Sequence, residues 1–387
     1  MRIGIDATSW VNRRGFGRFT RNAVSRLVAL DPESAYVLFI DGESSLVADL
    51  PPEAEVRIVA LDRPPSEAAA ADSNRSVRDL LRQIRAARGE RLSAFLFPSL
   101  YTYFPVPGVP TVVGIHDTIG DDHPELIFPR RRARILWSVK QRLALRTAAR
   151  LFTVSEASRR ALIERFGIAA ERLTVVPEAP DPVFRPLGEA DILKELGRLG
   201  IDPRSEFFLY SGGISPHKNI ETLLDAYAAL RDRRPEAPRL VLAGDLDRET
   251  YVSAAADVRR RIDELRLEQH VLLPGFVSDL TLACLYSRAT AVVLPSLAEG
   301  FGLPAVEAAA CGAPVVLSDL PAHRESLGDG GLYFDPRDTA ALTAALTLMV
   351  VEPDTRASFA ARGHHAVAGL TWDAAAVCLR ELLHQVA

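Results

Sequence analysis

The sequence predicts an α/β protein with two parallel-sheet domains. Three observations carry that prediction. Short apolar runs of strand length alternate with helix-length stretches from end to end, the pattern of repeated βαβ units. The runs show no polar alternation, as befits strands buried on both faces. The chain has 387 residues, enough for two cores, and a proline-rich aperiodic stretch, VPEAPDPVFR at 176–185, divides it.

In the first half the expected strands are Arg2–Asp6, Tyr36–Ile40, Val56–Val59, Ala94–Phe97, Thr111–Ile115 and Leu151–Val154. Helical stretches are expected at Arg18–Leu30, Ser76–Arg88, Arg130–Ala149 and Glu156–Phe166. Ser155 precedes the last of these as an N-cap, its hydroxyl able to accept from the first-turn N–H groups. Asp62–Asn74, with paired prolines and an alanine run, reads as a mobile loop. In the second half the expected strands are Phe207–Ser211, Arg239–Ala243, Val271–Leu273, Ala291–Leu294 and Val315–Leu317. Helices are expected at Asn219–Arg231, Arg248–Leu265 and Asp279–Arg288, then after Pro304, and finally at Trp372–Val386. The expected domains are therefore 1–180 and 186–370, with 371–387 as a closing helix that packs back toward the first.

Composition excludes several classes. The 46 basic against 50 acidic residues give a net charge of −4, so nucleic acid is not an expected partner. Cys284, Cys311 and Cys378 lack metal-type spacing and suit buried thiols in a reducing compartment. No apolar run approaches the 18 residues of a membrane span, and the opening MRIGIDATSW reads as a strand rather than a signal. The expected location is cytoplasmic, with at most a peripheral contact at the inner face of a membrane.

The most informative segment is AVVLPSLAEGFGLPAVEAAACGAPVVLSD at 291–319. Pro295 ends the first strand. Gly300 and Gly302 let the backbone bend and approach a ligand. Pro304 suits the start of a helix and Gly312 its end. The helix would aim its free N–H groups into the crevice at the strand's carboxyl end, where α/β sheets bind ligands and anions are favoured. Glu299 in the loop and Glu307, placed in the first helical turn, are acceptor-only groups. Beside an anion site they suit a ligand that also carries hydroxyls.

YSGGISPHKN at 210–219 is a second such turn, in which Gly212 and Gly213 open the backbone and Lys218 supplies a fixed positive charge. In the first domain RGFGR at 14–18 follows the first strand, but Thr20 breaks the G-x-G-x-x-G spacing of a dinucleotide turn. His116 and Asp117 end a buried strand, where functional residues collect. Asp117 could orient the imidazole. Asp245 and Asp247 look like a metal-binding pair, yet two carboxylates alone make a poor site, and no metal is expected. Arg130–Arg150 is basic, with an apolar stripe of Ile135, Leu136, Val139 and Leu143. It suits either a docked helix with solvated arginines or an anionic lipid or acceptor surface.

The stretch from Glu299 to Glu307, with its GFGLP and the downstream CGAPVV, resembles the E-x7-E signature of the retaining family 4 glycosyltransferases. The likeness covers most of the chain and is densest from 207 to 337. It implies the GT-B fold, two Rossmann-like domains facing each other across a cleft, with the first binding the acceptor and the second the nucleotide sugar. It implies transfer from a nucleoside-diphosphate sugar to a hydroxyl of a glycan, lipid-linked glycan or small molecule, as in polysaccharide biosynthesis, with retention and without metal or cofactor. On this resemblance Gly212, Gly213 and Lys218 hold the diphosphate. Gly300, Phe301, Gly302 and Leu303 form the loop–helix junction, Glu307 holds ribose hydroxyls and Glu299 sugar hydroxyls. Phe276 and Val277, in the LPGFVSD stretch, line the base, although Phe276 also suits a core. Gly15, Gly17 and Arg18 resemble the family's G-x-G-R loop near the phosphates, and His116 touches the donor sugar. Many relatives carry Arg where this chain has Gly213. Two other functions stay open: a nucleotide-sugar epimerase of related architecture, and a non-catalytic nucleotide-sugar binder.

Overall fold

The computed structural model describes residues 1–12, 15–62, 76–128, 130–245 and 253–387. The Asp62–Asn74 loop expectation, apart from Asp62 itself, and the second aspartate of the Asp245–Asp247 pair lie outside the described residues. The chain divides into two compact units. Met1–Glu178 and Thr371–Ala387 form the first, and Ala179–Leu370 the second.

The first unit is built on a parallel sheet of seven strands: β1 (Arg2–Asp6), β2 (Ala35–Asp41), β3 (Glu55–Val59), β4 (Ala94–Phe97), β5 (Thr111–Gly114), β6 (Arg150–Thr153) and β7 (Leu173–Val175). Their spatial order is β3-β2-β1-β4-β5-β6-β7. β4 is wholly buried, as the unbroken apolar run AFLF requires. Its main helices are α1 (Gly15–Leu30), α2 (Val77–Arg88), α3 (Arg131–Thr147) and α4 (Glu156–Phe166). Residues 15–18, read from sequence as a loop, are instead the first turn of α1. Gly17 is needed there because a Cβ would fall 2.1 Å from the Asn12 carbonyl oxygen. Ser155 caps α4, accepting from Ser158 N at 3.0 Å.

The second unit has six parallel strands in the order β10-β9-β8-β11-β12-β13. These are β8 (Phe207–Ser211), β9 (Arg239–Ala243), β10 (Val271–Gly275), β11 (Ala291–Leu294), β12 (Val315–Ser318) and β13 (Gly331–Phe334). Around them lie α5 (Glu189–Arg198), α6 (Ile220–Arg233), α7 (Ala255–Glu264), α8 (Asp279–Arg288), α9 (Leu303–Ala310), α10 (Pro321–Leu327), α11 (Thr339–Val351) and α12 (Pro353–Val367). All residues of β8, β11 and β12 are buried. Each large side chain in them contributes about 1.5–3 kcal/mol by leaving water. The strand order turns outward from the β8–β11 pair, so the loops after these two strands open on one crevice. They carry the two most informative sequence motifs.

The last helix, α13 (Trp372–Val386), belongs to the first unit and packs along α1. Trp372 meets Phe19 edge-on at 5.9 Å between ring centroids. Asp373 pairs with Arg26, and His384 Nε2 lies 3.2 Å from Asp31 Oδ2, which also accepts from Tyr36 Oη at 2.8 Å.

Candidate active site

After β8 the chain passes Gly212 and Gly213, whose carbonyl accepts from Tyr210 Oη at 2.6 Å, and enters a 3-10 turn, Pro216–Lys218. Asn219 follows in the left-handed conformation, φ 57°. Its amide nitrogen donates to the carbonyls of Pro295 at 3.0 Å and Pro336 at 2.8 Å. Leu297 N donates to His217 O at 2.8 Å. The turn bearing Lys218 is thereby stitched to the loop after β11.

That loop holds Glu299. Its Oε1 accepts from Lys218 Nζ and from Ser296 Oγ, both at 2.7 Å. The Lys218 and Glu299 side chains are 18% and 11% exposed. Burial pushes the Glu299 carboxyl up, but Lys218, His323 and the two hydrogen bonds together hold it down at about 2. Glu299 is therefore a held, largely buried carboxylate rather than a charge in open solvent. Three residues on, Gly302 takes φ 87° and leads into α9, which has no side-chain cap and no acidic residue in its first turn. Pro304 occupies that first turn, where no N–H is missed. A short-range positive potential stands beside the Lys218–Glu299 pair.

Glu307 is placed differently from its expectation. Gly302 caps the helix and Leu303 opens it, so Glu307 is the fifth residue, one turn in, and is buried. Phe301 and Leu303 are buried on either side of Gly302. Phe276 is 46% exposed at the carboxyl end of β10, which removes the core reading for it. Val277 beside it is half-buried.

Sequence reasoning missed His323. It sits on α10, fully buried, with Nδ1 2.9 Å from Ser318 O. Its ring lies against Gly302, where a Cβ would fall 2.7 Å from Cδ2 and 3.0 Å from Nε2. Burial lowers its proton affinity, Glu299 raises it and Lys218 lowers it. A lone histidine in PAHRES carries no motif, and only the tertiary fold brings it under the Glu299 loop.

In the first unit His116 Nε2 donates to Pro98 O at 2.8 Å, which fixes the ring. Its Nδ1 lies 3.9 Å from Glu178, a buried carboxylate that no motif announced. Burial drives His116 down to about 4, against a small upward pull from the Pro98 carbonyl, so the imidazole is neutral at pH 7. Asp117 accepts from Ile119 N at 2.9 Å and so closes the turn after the strand, while the bond that orients the imidazole comes from Pro98. Arg18 is buried within α1 rather than a solvated surface charge. Gly15, at the start of α1, is exposed.

The profile of Glycosyltransferase Family 4 matches residues 13–183, and that of Glycosyl transferases group 1 matches residues 191–366. The chain belongs to the family 4 glycosyltransferases. Among curated relatives, O-antigen chain mannosyltransferase B of Escherichia coli is 33% identical over 232 residues, covering 59% of each chain. D-inositol 3-phosphate glycosyltransferase of Frankia alni is 33% identical over 59% of this chain and 57% of its own. The matches span less than two thirds of these relatives. Solved structures share the GT-B fold. Sucrose-phosphate synthase of Thermosynechococcus elongatus superposes with TM-score 0.79 at 20% identity, over 100% of this chain and 98% of that one. HepE of Anabaena, in complex with UDP-glucose, gives 0.74 at 19% over 100% and 98%. WaaG, a glycosyltransferase involved in lipopolysaccharide biosynthesis, gives 0.77 at 13% over 99% of both.

Proposed function

We propose that this chain transfers a sugar from a nucleoside-diphosphate sugar to a hydroxyl acceptor, with retention of configuration and without a metal. The observation that carries this reading is the Lys218–Glu299 pair, 2.7 Å apart, beside the uncapped N-terminus of α9. An anion suits the helix end and Lys218, while hydroxyls suit Glu299 and Glu307. In this reading Lys218 turns to the diphosphate, Glu307 takes the ribose and Glu299 the sugar near the reacting carbon. Gly212, Gly213 and Gly300 to Leu303 shape the phosphate turn, with Phe276 and Val277 at the base. His116, neutral, hydrogen-bonds the donor sugar, and the turn from Gly15 to Arg18 serves the donor phosphates and the acceptor. Positive potential at the helix end and Lys218 stabilise the leaving diphosphate, whose oxygen takes the acceptor's proton on the same face of the sugar. The relatives' names point to two acceptor classes, a growing glycan for the O-antigen chain mannosyltransferase and a small phosphorylated polyol for D-inositol 3-phosphate glycosyltransferase.

The test is incubation with UDP-glucose and GDP-mannose, with and without oligosaccharide and polyprenyl-phosphate acceptors. The expected result is nucleoside diphosphate release only with acceptor, unchanged by EDTA, and a product of the donor's anomeric configuration by NMR. Isomerised nucleotide sugar without release would instead identify an epimerase. Binding without turnover, unaltered by Glu299→Ala, would identify a non-catalytic binder.

We also infer peripheral contact with an anionic membrane through α3. This helix buries Ala133, Trp137, Gln141 and Ala144 and turns out Ile135, Val139 and Leu143, which are 62%, 56% and 39% exposed. Arg131, Arg132, Arg134, Arg142 and Arg146 are exposed on the same helix, which contains no acidic residue. Each such cation adds about 1 kcal/mol near an anionic leaflet. Among the described residues no helix is long and apolar enough to cross a membrane. Phosphatidylglycerol vesicles should sediment the protein at low salt, and Ile135→Ser with Val139→Ser should release it. Equal sedimentation of both forms refutes the contact.

A further inference from the structure

The Nδ1 of His323 faces the carbonyl oxygen of Ser318, which can only accept, so this nitrogen carries the ring's hydrogen. In the neutral ring Nε2 is then a bare lone pair. It is buried and has no hydrogen-bond partner. An unmet buried polar atom is costly and calls for an explanation. The Cδ2–Nε2 edge lies directly against Gly302, the residue that caps α9.

Charge counting supplies the explanation. In the turn Gly212–Asn219 the one residue with a fixed positive charge is Lys218, and in the ligand-free protein Glu299 holds it. A diphosphate would draw Lys218 away and leave the Glu299 carboxylate buried without a cation, which is strongly unfavourable.

We propose that His323 is the second cation of this site: when a phosphate-bearing ligand settles at the N-terminus of α9, Nε2 takes a proton from solvent and replaces Lys218 as the counter-ion of Glu299. This rests on the nucleotide-sugar reading above. His323 is a positioning residue here, since it acts through Glu299 and the loop at Gly302 rather than on the reacting atoms. Of the charged groups around the ring, Glu299 and Lys218 act on it directly. On its own helix, Arg324 turns out to pair with Asp319 and stack on Tyr333, whose hydroxyl meets the His323 carbonyl. On the other helices packed against α10, Glu307 lies buried on α9 and His364 on α12 bonds the Ala309 carbonyl.

The test is calorimetric titration with UDP-glucose and GDP-mannose, whose diphosphates do not titrate near neutrality, in buffers of different ionisation enthalpy from pH 5.5 to 8. The expected result is uptake of up to one proton on binding, with Kd tightening up to about tenfold for each unit the pH falls between the free and bound protonation midpoints of His323. His323→Asn keeps an N–H for Ser318 O and deletes Nε2; it should remove the uptake and flatten the pH dependence. Nitrogen-15 shifts of the His323 ring in the native protein, which need no variant, should move from the neutral to the doubly protonated pattern on binding. Binding without proton uptake, uptake that survives in His323→Asn, or an unmoved ring each overturn the proposal while leaving the nucleotide-sugar reading intact. No binding of either nucleotide sugar overturns that reading and this inference together.

Discussion

Replacing Lys218 by Met removes one partner of a largely buried ion pair while keeping most of the side chain's volume. Glu299 stands at about 2 against a usual 4.5, and each unit is worth about 1.4 kcal/mol, so its ionised form is favoured by about 3 kcal/mol. Both side chains are less than one-fifth exposed, so solvent screening takes little from this figure. Without Lys218, burial acts on Glu299 opposed only by His323 and Ser296. The expected loss at pH 7 is about 3–5 kcal/mol. The sign with pH follows from linkage. A carboxyl depressed in the folded state contributes fully above its unfolded value, and the contribution is lost as pH falls from about 4.5 toward about 2. The gap between native protein and variant should therefore narrow on acidification. Trp10, Trp137 and Trp372 all belong to the first unit, so their fluorescence reports the wrong half and serves as a control. Hydrogen exchange of β8 and β11 amides reads the second unit. Adding Glu299→Gln to Lys218→Met should recover much of the loss, because no charge stays stranded. A loss under about 1 kcal/mol, or a gap that does not change between pH 7 and pH 3, would refute the account.

Gly302→Ala places a Cβ 2.7 Å from His323 Cδ2 at a residue with φ 87°. It should cost about 1–3 kcal/mol and weaken nucleotide-sugar binding at least tenfold, as read by calorimetry and exchange. His116, driven down to about 4 by burial, lets the unfolded chain bind a proton that the folded one refuses. The first unit should thus lose stability, up to about 3 kcal/mol, as pH falls from 6.5 to 4, and His116→Gln should abolish that component in urea unfolding followed by tryptophan emission. Trp372→Ala, which opens a cavity against Phe19, should cost about 3–5 kcal/mol in the same assay while leaving exchange in β8 and β11 unchanged.

Strands were legible where they are buried on both faces, since runs such as Ala291–Leu294 can be little else at that length. β7 and β13 were not, being a three-residue piece and a strand that opens on glycine. Helices α5, α10, α11 and α12 also escaped reading. TAALTAALTLMVV, the sequence of α11, is apolar nearly all round, so it shows little 3.6-residue period to find. At the candidate site, Glu299 and Lys218 announced themselves through glycine-flanked motifs, but 81 positions separate them and nothing local says that they touch. The placement of Glu307 one turn into α9 followed from which residue caps the helix, a choice that Gly300 and Gly302 leave equally open in sequence. His323 and Glu178 depend wholly on tertiary contact and had no local signature.

The return of α13 to α1 has a consequence on the ribosome. The sheet of the first unit is synthesised first, yet the helix that covers Phe19 arrives only after the roughly 190 residues of Ala179–Leu370 have been made. At about 5–20 residues per second that interval is on the order of 10–40 s. Throughout it Phe19 lacks the Trp372 ring that packs on it in the finished fold. The first unit therefore completes its packing only after the whole of the second has been synthesised, so the folding of one half waits on the length of the other.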